Sequence, residues 1–151
     1  VALAASFREP AVKAVITDGL FSMKEIFRDY IRKWAPILVK PNLFGERYPK
    51  WVVDLFMQLG YWNCEKRTGK KFVDVEALLR KKHLPLLMIH GEKDDYVSSA
   101  HQQFLRKIES THGRAVHPIV SSAGHNEAII LQRALYEKEV REFLGRWVGK
   151  N

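Results

Sequence analysis

Two strings in this sequence hold the side chains best suited to chemistry: HGEKDDYV at residues 90–97 and SAGHN at 122–126. The first places two adjacent carboxylates, Asp94 and Asp95, shortly after Gly91; the second presents His125 directly after Gly124. A carboxylate that accepts a hydrogen bond from Nδ1–H of an imidazole fixes its tautomer. The other ring nitrogen is then left as a base near neutral pH. Such a pair is two-thirds of a nucleophile–histidine–acid triad. Asp18, in the string TDG, is the alternative acid. Aspartate in a turn ahead of a helix is also common as a capping or solvated residue, a reading open to Asp94 and Asp95 alike. His90 is expected to be a packed strand histidine. His83, His101, His112 and His117 have no metal-ligand spacing, so no metal and no cofactor is implied.

The elements around these strings must bring them together. LPLLMIH, residues 84–90, is an apolar run of strand length, and Val12 to Thr17 is a second, rich in β-branched residues. RAVHPIVSSAG reads as a third strand, with Pro118 pointing to a sheet edge. VALAASFREP opens as a buried helix stopped at Pro10. VSSAHQQFLRKIESTHG reads as a helix with Ser99 and Gln102 at capping-box spacing and Gly113 at its end. NEAIILQRALYEKEVREFLGRWVG reads as one long helix with Asn126 as N-cap. Strands alternating with helices predict an α/β fold with three parallel strands. In such sheets reactive groups collect at the carboxyl ends of the strands, where Asp18, Asp94 and His125 all fall.

Residues 21–82 differ in character. They hold fourteen Lys/Arg against seven Asp/Glu, whereas the remainder holds eleven against ten. The net charge of +8 therefore belongs to one segment rather than to the whole surface. Ten of the seventeen aromatic residues lie between Phe21 and Trp62. Helical periodicity over FSMKEIFRDYIRKWAPI, KWVVDLFMQLGYW and VDVEALLRKK is interrupted at Pro36, Pro41, Gly45 and Pro49. The predicted organisation is a core helix and strand at 1–20, a helical insertion at 21–82, and a second core part at 83–151.

Composition narrows the function. An apolar share of 46% suits a globular core. No apolar run reaches bilayer-spanning length, and no signal-peptide pattern is visible. Cys64 stands alone, so no internal disulfide can form; an ordinary structural thiol in a reducing, cytoplasmic setting is expected. The charge invites nucleic acid, but no recognition motif accompanies it, and no nucleic-acid partner is expected.

HGEKDDYV followed by SAGHN resembles the acid and histidine segments of the α/β-hydrolase family, and the resemblance extends over nearly the whole chain. It implies Asp94 as the acid and His125 as the histidine, in the family's order of nucleophile, acid, histidine. VALAAS and VKAVITDG are similar to the helix and strand that follow the nucleophile elbow, and 21–82 takes the place of the cap. The family's G-x-S-x-G is absent: none of the serines at 6, 22, 98, 99, 110, 121 and 122 lies in such a string. The resemblance thus implies the C-terminal part of a serine hydrolase whose nucleophile lies upstream, the chain alone being inactive. The expected substrate is a small acyl or ester compound, with peptidase and thioesterase activity as variants. Trp34, Phe56 and Trp62 are the expected substrate contacts, among a wider set that includes Phe27, Tyr30, Phe44, Trp51, Met57 and Tyr61. Lys66, Arg67, Lys70 and Lys71 read as a solvated basic loop. The alternative is a non-catalytic module that binds a partner or lipid surface through this basic, aromatic segment. Self-association of the isolated chain is expected through an open apolar strand edge at 12–17, with no stable membrane insertion.

Overall fold

A computed structural model describes residues 2–38, 48–81, 84–109, 115–116, 118–120 and 122–149. The chain divides into two compact units, Val1–Ser22 with Val75–Asn151, and Met23–Asp74.

The first unit is built on β2 (Leu86–Gly91), paired in parallel with β1 (Val15–Asp18) in the register Val15↔Leu86 to Asp18↔Ile89. Every residue of β2 is buried, and its side chains alternate between two cores. Leu86 and Met88 join Leu3, Val15, Leu79, Leu105 and Ile108. Leu87 and Ile89 join Val120, Ala123, Ala128 and Phe143. A strand covered on both faces needs apolar side chains at every position, which is why LLMI carries no polar alternation. Helices α1 (Ala2–Ala5), α4 (Val75–Lys81) and α5 (Ser99–Glu109) contribute to the first core. Helices α6 (Ala128–Leu131) and α7 (Arg133–Trp147) contribute to the second.

The α/β class holds, but among the described residues only β1 and β2 run for four residues or more. The single third strand expected over RAVHPIVSSAG is replaced by two short pieces, β3 (Ala115–Val116) and β4 (Ile119–Val120), each parallel to β2. Proline has no N–H for the ladder, and Pro118 itself lies in neither piece.

Other expectations shift at their boundaries. The long C-terminal helix divides at Gln132, whose backbone (φ −134°, ψ 51°) is not helical. No proline, glycine or cap residue marks that point in the sequence. Asn126 lies outside the helix it was expected to cap and takes φ 57°. The N–H of His101 is satisfied by Ser98 Oγ at 3.4 Å rather than by Ser99, so α5 starts one residue earlier than the spacing suggested. The expected stop at Gly113 lies outside the described residues. Helix α1 is only one turn and ends well before Pro10.

The second unit consists of α2 (Met23–Leu38) and α3 (Lys50–Thr68). Helix α2 runs past Pro36 to Leu38, and α3 runs past Trp62 to a left-handed Gly69 cap. Phe27, Tyr61 and Phe72 pack edge to face, with centroids 4.8 to 6.3 Å apart. Arg28 ties the helices together through Asp54 at 3.0 Å and also pairs with Glu25.

Helix α4, grouped with the insertion by sequence, places Leu79 without exposure in the first core. Leu79→Ala is therefore expected to cost about 3 kcal/mol of unfolding free energy, the range for a buried leucine whose cavity does not collapse. Urea denaturation checks this; a loss under about 1 kcal/mol would place Leu79 outside the core.

Candidate active site

The carboxyl ends of β1, β2 and β4 meet at one rim: Asp18 is the last residue of β1, and the loops after β2 and β4 carry Asp94 and His125. Hydrogen bonds between the loops fix their spacing. Glu92 N–H donates to Val120 O at 3.2 Å, and Lys93 N–H to Ala123 O at 2.9 Å. Gly91 is the seat of this junction. A Cβ there would lie 2.2 Å from Ala123 O and 2.6 Å from Gly124 O, so no other residue fits without moving backbone. Gln102, buried on α5, donates through Nε2 to Gly91 O and Val97 O, both at 3.1 Å, and ties the loop after β2 to the core.

Asp94 uses both of its oxygens. Oδ1 accepts from Tyr96 N–H at 2.9 Å and Val97 N–H at 2.8 Å. Oδ2 lies 2.9 Å from His125 Nδ1. Since an ionised carboxylate only accepts, Nδ1 carries the hydrogen and a neutral imidazole keeps its lone pair on Nε2. The Asp94 side chain is 1% exposed and that of His125 28%. The acid is thus sealed and the base reachable, and His125 Nε2 has no hydrogen-bond partner among the described residues.

The loop presenting His125 is bracketed by two left-handed residues, Ser122 (φ 65°) and Asn126 (φ 57°). For a non-glycine residue that conformation is uncommon, serine and asparagine being held here by the surrounding loop. Gly124 N–H is held by Glu127 Oε2 at 2.9 Å. One side of the imidazole faces Tyr96, ring centroids 5.3 Å apart. It also lies against Gly19, where a Cβ would approach His125 Cε1 to 3.1 Å and Asn126 Oδ1 to 2.7 Å. Gly19 additionally needs its φ of +65°.

Asp18 shares this electrostatic environment without taking the place of Asp94. Burial pushes its carboxyl above the usual range; His125 pulls it down and Asp94 pushes it up again. Burial raises the Tyr136 phenol as well, with Asp18 adding to the shift. Asp95 is exposed beside the pair, and His90 is buried within β2.

The sequence reading had named Asp94, Asp18 and His125 as candidates, with Asp94 preferred through the resemblance to the α/β-hydrolases. It missed Gly19, Tyr96 and Gln102, whose roles rest on contacts between separate loops; only the glycine after a strand was visible as a signal. Trp34, Phe56 and Trp62 lie in the other unit and are exposed. Phe27, Tyr61 and the buried Met57 are engaged in packing that unit, and Phe44 lies outside the described residues, as do His83, His112 and His117. Among the described residues no group of three or more His, Cys, Asp or Glu is placed to hold a metal ion, and no helix is long and apolar enough to cross a membrane.

Several solved structures share this architecture. The chain is similar to an esterase of Pyrococcus furiosus (19% identity, TM-score 0.58), covering 97% of this chain and 50% of that one. It is similar to a serine hydrolase involved in carbazole degradation, CarC (16%, 0.54), over 95% and 58% of the two chains. The meta-cleavage product hydrolase CumD of Pseudomonas fluorescens matches at 15% and 0.52, over 96% and 60%. No protein-family model and no curated protein sequence matches. The fold is that of the α/β-hydrolases, and the chain spans about half the length of the first of these structures.

Gly91→Ala is expected to cost about 3 kcal/mol, at the upper end for overpacking, because the obstacle is backbone; chemical denaturation reads it. Asp18 gives a pH-dependent prediction. Its folded pKa is raised, so the folded state binds the proton more tightly than the unfolded one. The protonated form carries no penalty at low pH, and stability is lost as pH rises through the raised folded pKa. Asp18→Asn should therefore raise the melting temperature at pH 7 and bring no gain at pH 3. An equal gain at both would show that its charge is not responsible.

Proposed function

We propose that this chain supplies the acid and the general base of a serine hydrolase acting on carboxylic-ester or related acyl bonds. The observation that carries this reading is the 2.9 Å contact between sealed Asp94 and accessible His125, with Nε2 left open. In this reading the nucleophilic serine comes from outside these residues, none of whose serines lies in a G-x-S-x-G string.

In this scheme the serine hydroxyl attacks the acyl carbon while His125 Nε2 takes its proton. Asp94 stabilises the resulting imidazolium through Nδ1–H, and its two backbone hydrogen bonds keep it from turning away. The imidazolium then protonates the leaving alkoxide. Water, activated by the same nitrogen, releases the acid from the acyl-enzyme. The similarity to an esterase and to a serine hydrolase supports the reaction class. Residues 21–82 serve as the cap, and Trp34, Phe56 and Trp62 are the proposed acyl contacts, their exposed rings being free to meet an apolar chain.

The test assays short-chain aryl esters with this chain and with a version that carries the preceding Gly-x-Ser-x-Gly segment. Only the longer version should turn over, and His125→Ala should lower its kcat by about 10³-fold or more. Equal turnover by both chains, or full activity without His125, would overturn the assignment.

A further inference from the structure

Helix α3 is apolar on two opposite sides. Val53, Met57 and Tyr61, at i, i+4 and i+8, face inward; Val53 is fully buried and Met57 nearly so. On the other side Trp51, Leu55, Leu59 and Trp62, at i, i+4, i+8 and i+11, form a second stripe. They are 65%, 48%, 52% and 61% exposed, over a helix length of about 17 Å. One apolar stripe suffices to pack a helix onto its neighbour. A second, contiguous and rich in tryptophan, leaves a large apolar area exposed, the mark of an interaction surface.

Charge identifies the cover. The described acids of this unit are engaged elsewhere: Glu25 and Asp54 with Arg28, Asp29 with Arg32, Asp74 with Lys24, and Glu65 with the Phe72 N–H. The cations at the ends of the stripe are not. Lys50, Arg67, Lys70 and Lys71 have no acidic partner among the described residues. Lys66 lies over the Trp62 ring, 5.1 Å from its centroid. Helix α2 repeats the pattern with exposed Tyr30, Trp34 and Ile37, and with Lys33 5.7 Å from the Trp34 centroid. A second copy of the stripe would bring like charges together. An anionic bilayer surface instead offers headgroup charge for the lysines and an interfacial layer for tryptophan and leucine.

We propose that the Trp51–Leu55–Leu59–Trp62 face of α3, with its flanking lysines, docks peripherally on anionic lipid surfaces. No helix need cross the bilayer: the stripe enters only to the depth of its side chains, while the lysine ammonium groups stay at headgroup level. This site is independent of the Asp94–His125 pair, and binding is measured without turnover, so either reading can fail alone. Trp62, shared with the proposed acyl contacts, places a lipid-facing residue in the substrate-contacting set.

The experiment is sedimentation of the full chain with vesicles of phosphatidylcholine alone or with 30% phosphatidylserine, at about 50 and 300 mM salt. Expected are binding to the phosphatidylserine vesicles at least tenfold tighter than to phosphatidylcholine, and weakening at the higher salt. Two variants follow: Trp51→Glu with Leu55→Glu, and Lys66→Glu with Lys70→Glu and Lys71→Glu. Each should bind at least tenfold more weakly while circular dichroism shows unchanged helicity. The second variant alters only exposed charges and retains a readout if the first fails to fold. Binding of wild type that does not prefer phosphatidylserine, or that neither variant weakens, would overturn the proposal. So would absence of vesicle binding, including the case where sedimentation velocity shows a dimer that the first variant abolishes.

Discussion

The candidate site depends on one close approach: the backbone of Ala123 and Gly124 lies directly against Gly91. Only a residue without a Cβ allows the loop after β4 to settle there. Lys93 N–H then reaches Ala123 O, and His125 arrives 2.9 Å from Asp94. The geometry of the pair is thus imposed by main-chain packing a few residues away. A steric constraint of this kind is stiffer than a hydrogen bond, since overlapping backbone cannot relax as a rotamer can.

The approach is held from below by β2. Its two faces feed separate cores, and each residue that leaves one core enters the other. Sliding β2 by one residue against β1 would exchange the cores and carry Gly91 away from Ala123. Gln102 couples this arrangement to α5: its amide donates to the carbonyl at the end of β2 and to that of Val97 in the loop that follows. Core packing, strand register and loop geometry therefore reinforce one another at the rim.

The electrostatics of the rim are asymmetric. Asp94 is sealed and fully hydrogen-bonded, which keeps a charged carboxylate tolerable in a buried place. Asp18, on the neighbouring strand end, lacks comparable compensation, and burial raises its pKa. Two acids near one histidine thus differ in role through their hydrogen bonds alone. The other unit shows the opposite imbalance, with its described acids engaged and several of its cations without an acidic partner among the described residues. That difference was foreshadowed in the uneven charge of the sequence.

By itself the sequence determined the α/β class, the buried strand at LLMI, the helical and basic character of the segment after Phe21, and the pairing of Asp94 with His125. The first three rest on local rules of apolar period and composition, whereas the choice of Asp94 to pair with His125 came from the resemblance to a known family. Tertiary structure alone decided the remainder. The third strand splits around Pro118, the last helix breaks at Gln132 without any breaker residue, and Leu79 packs into the core rather than with the helices before it. Gly19 and Tyr96 acquire their places beside the imidazole, and α3 is left with a second apolar side. Each of these outcomes depends on which surfaces meet across distant parts of the chain, a relation that no local pattern of residues encodes.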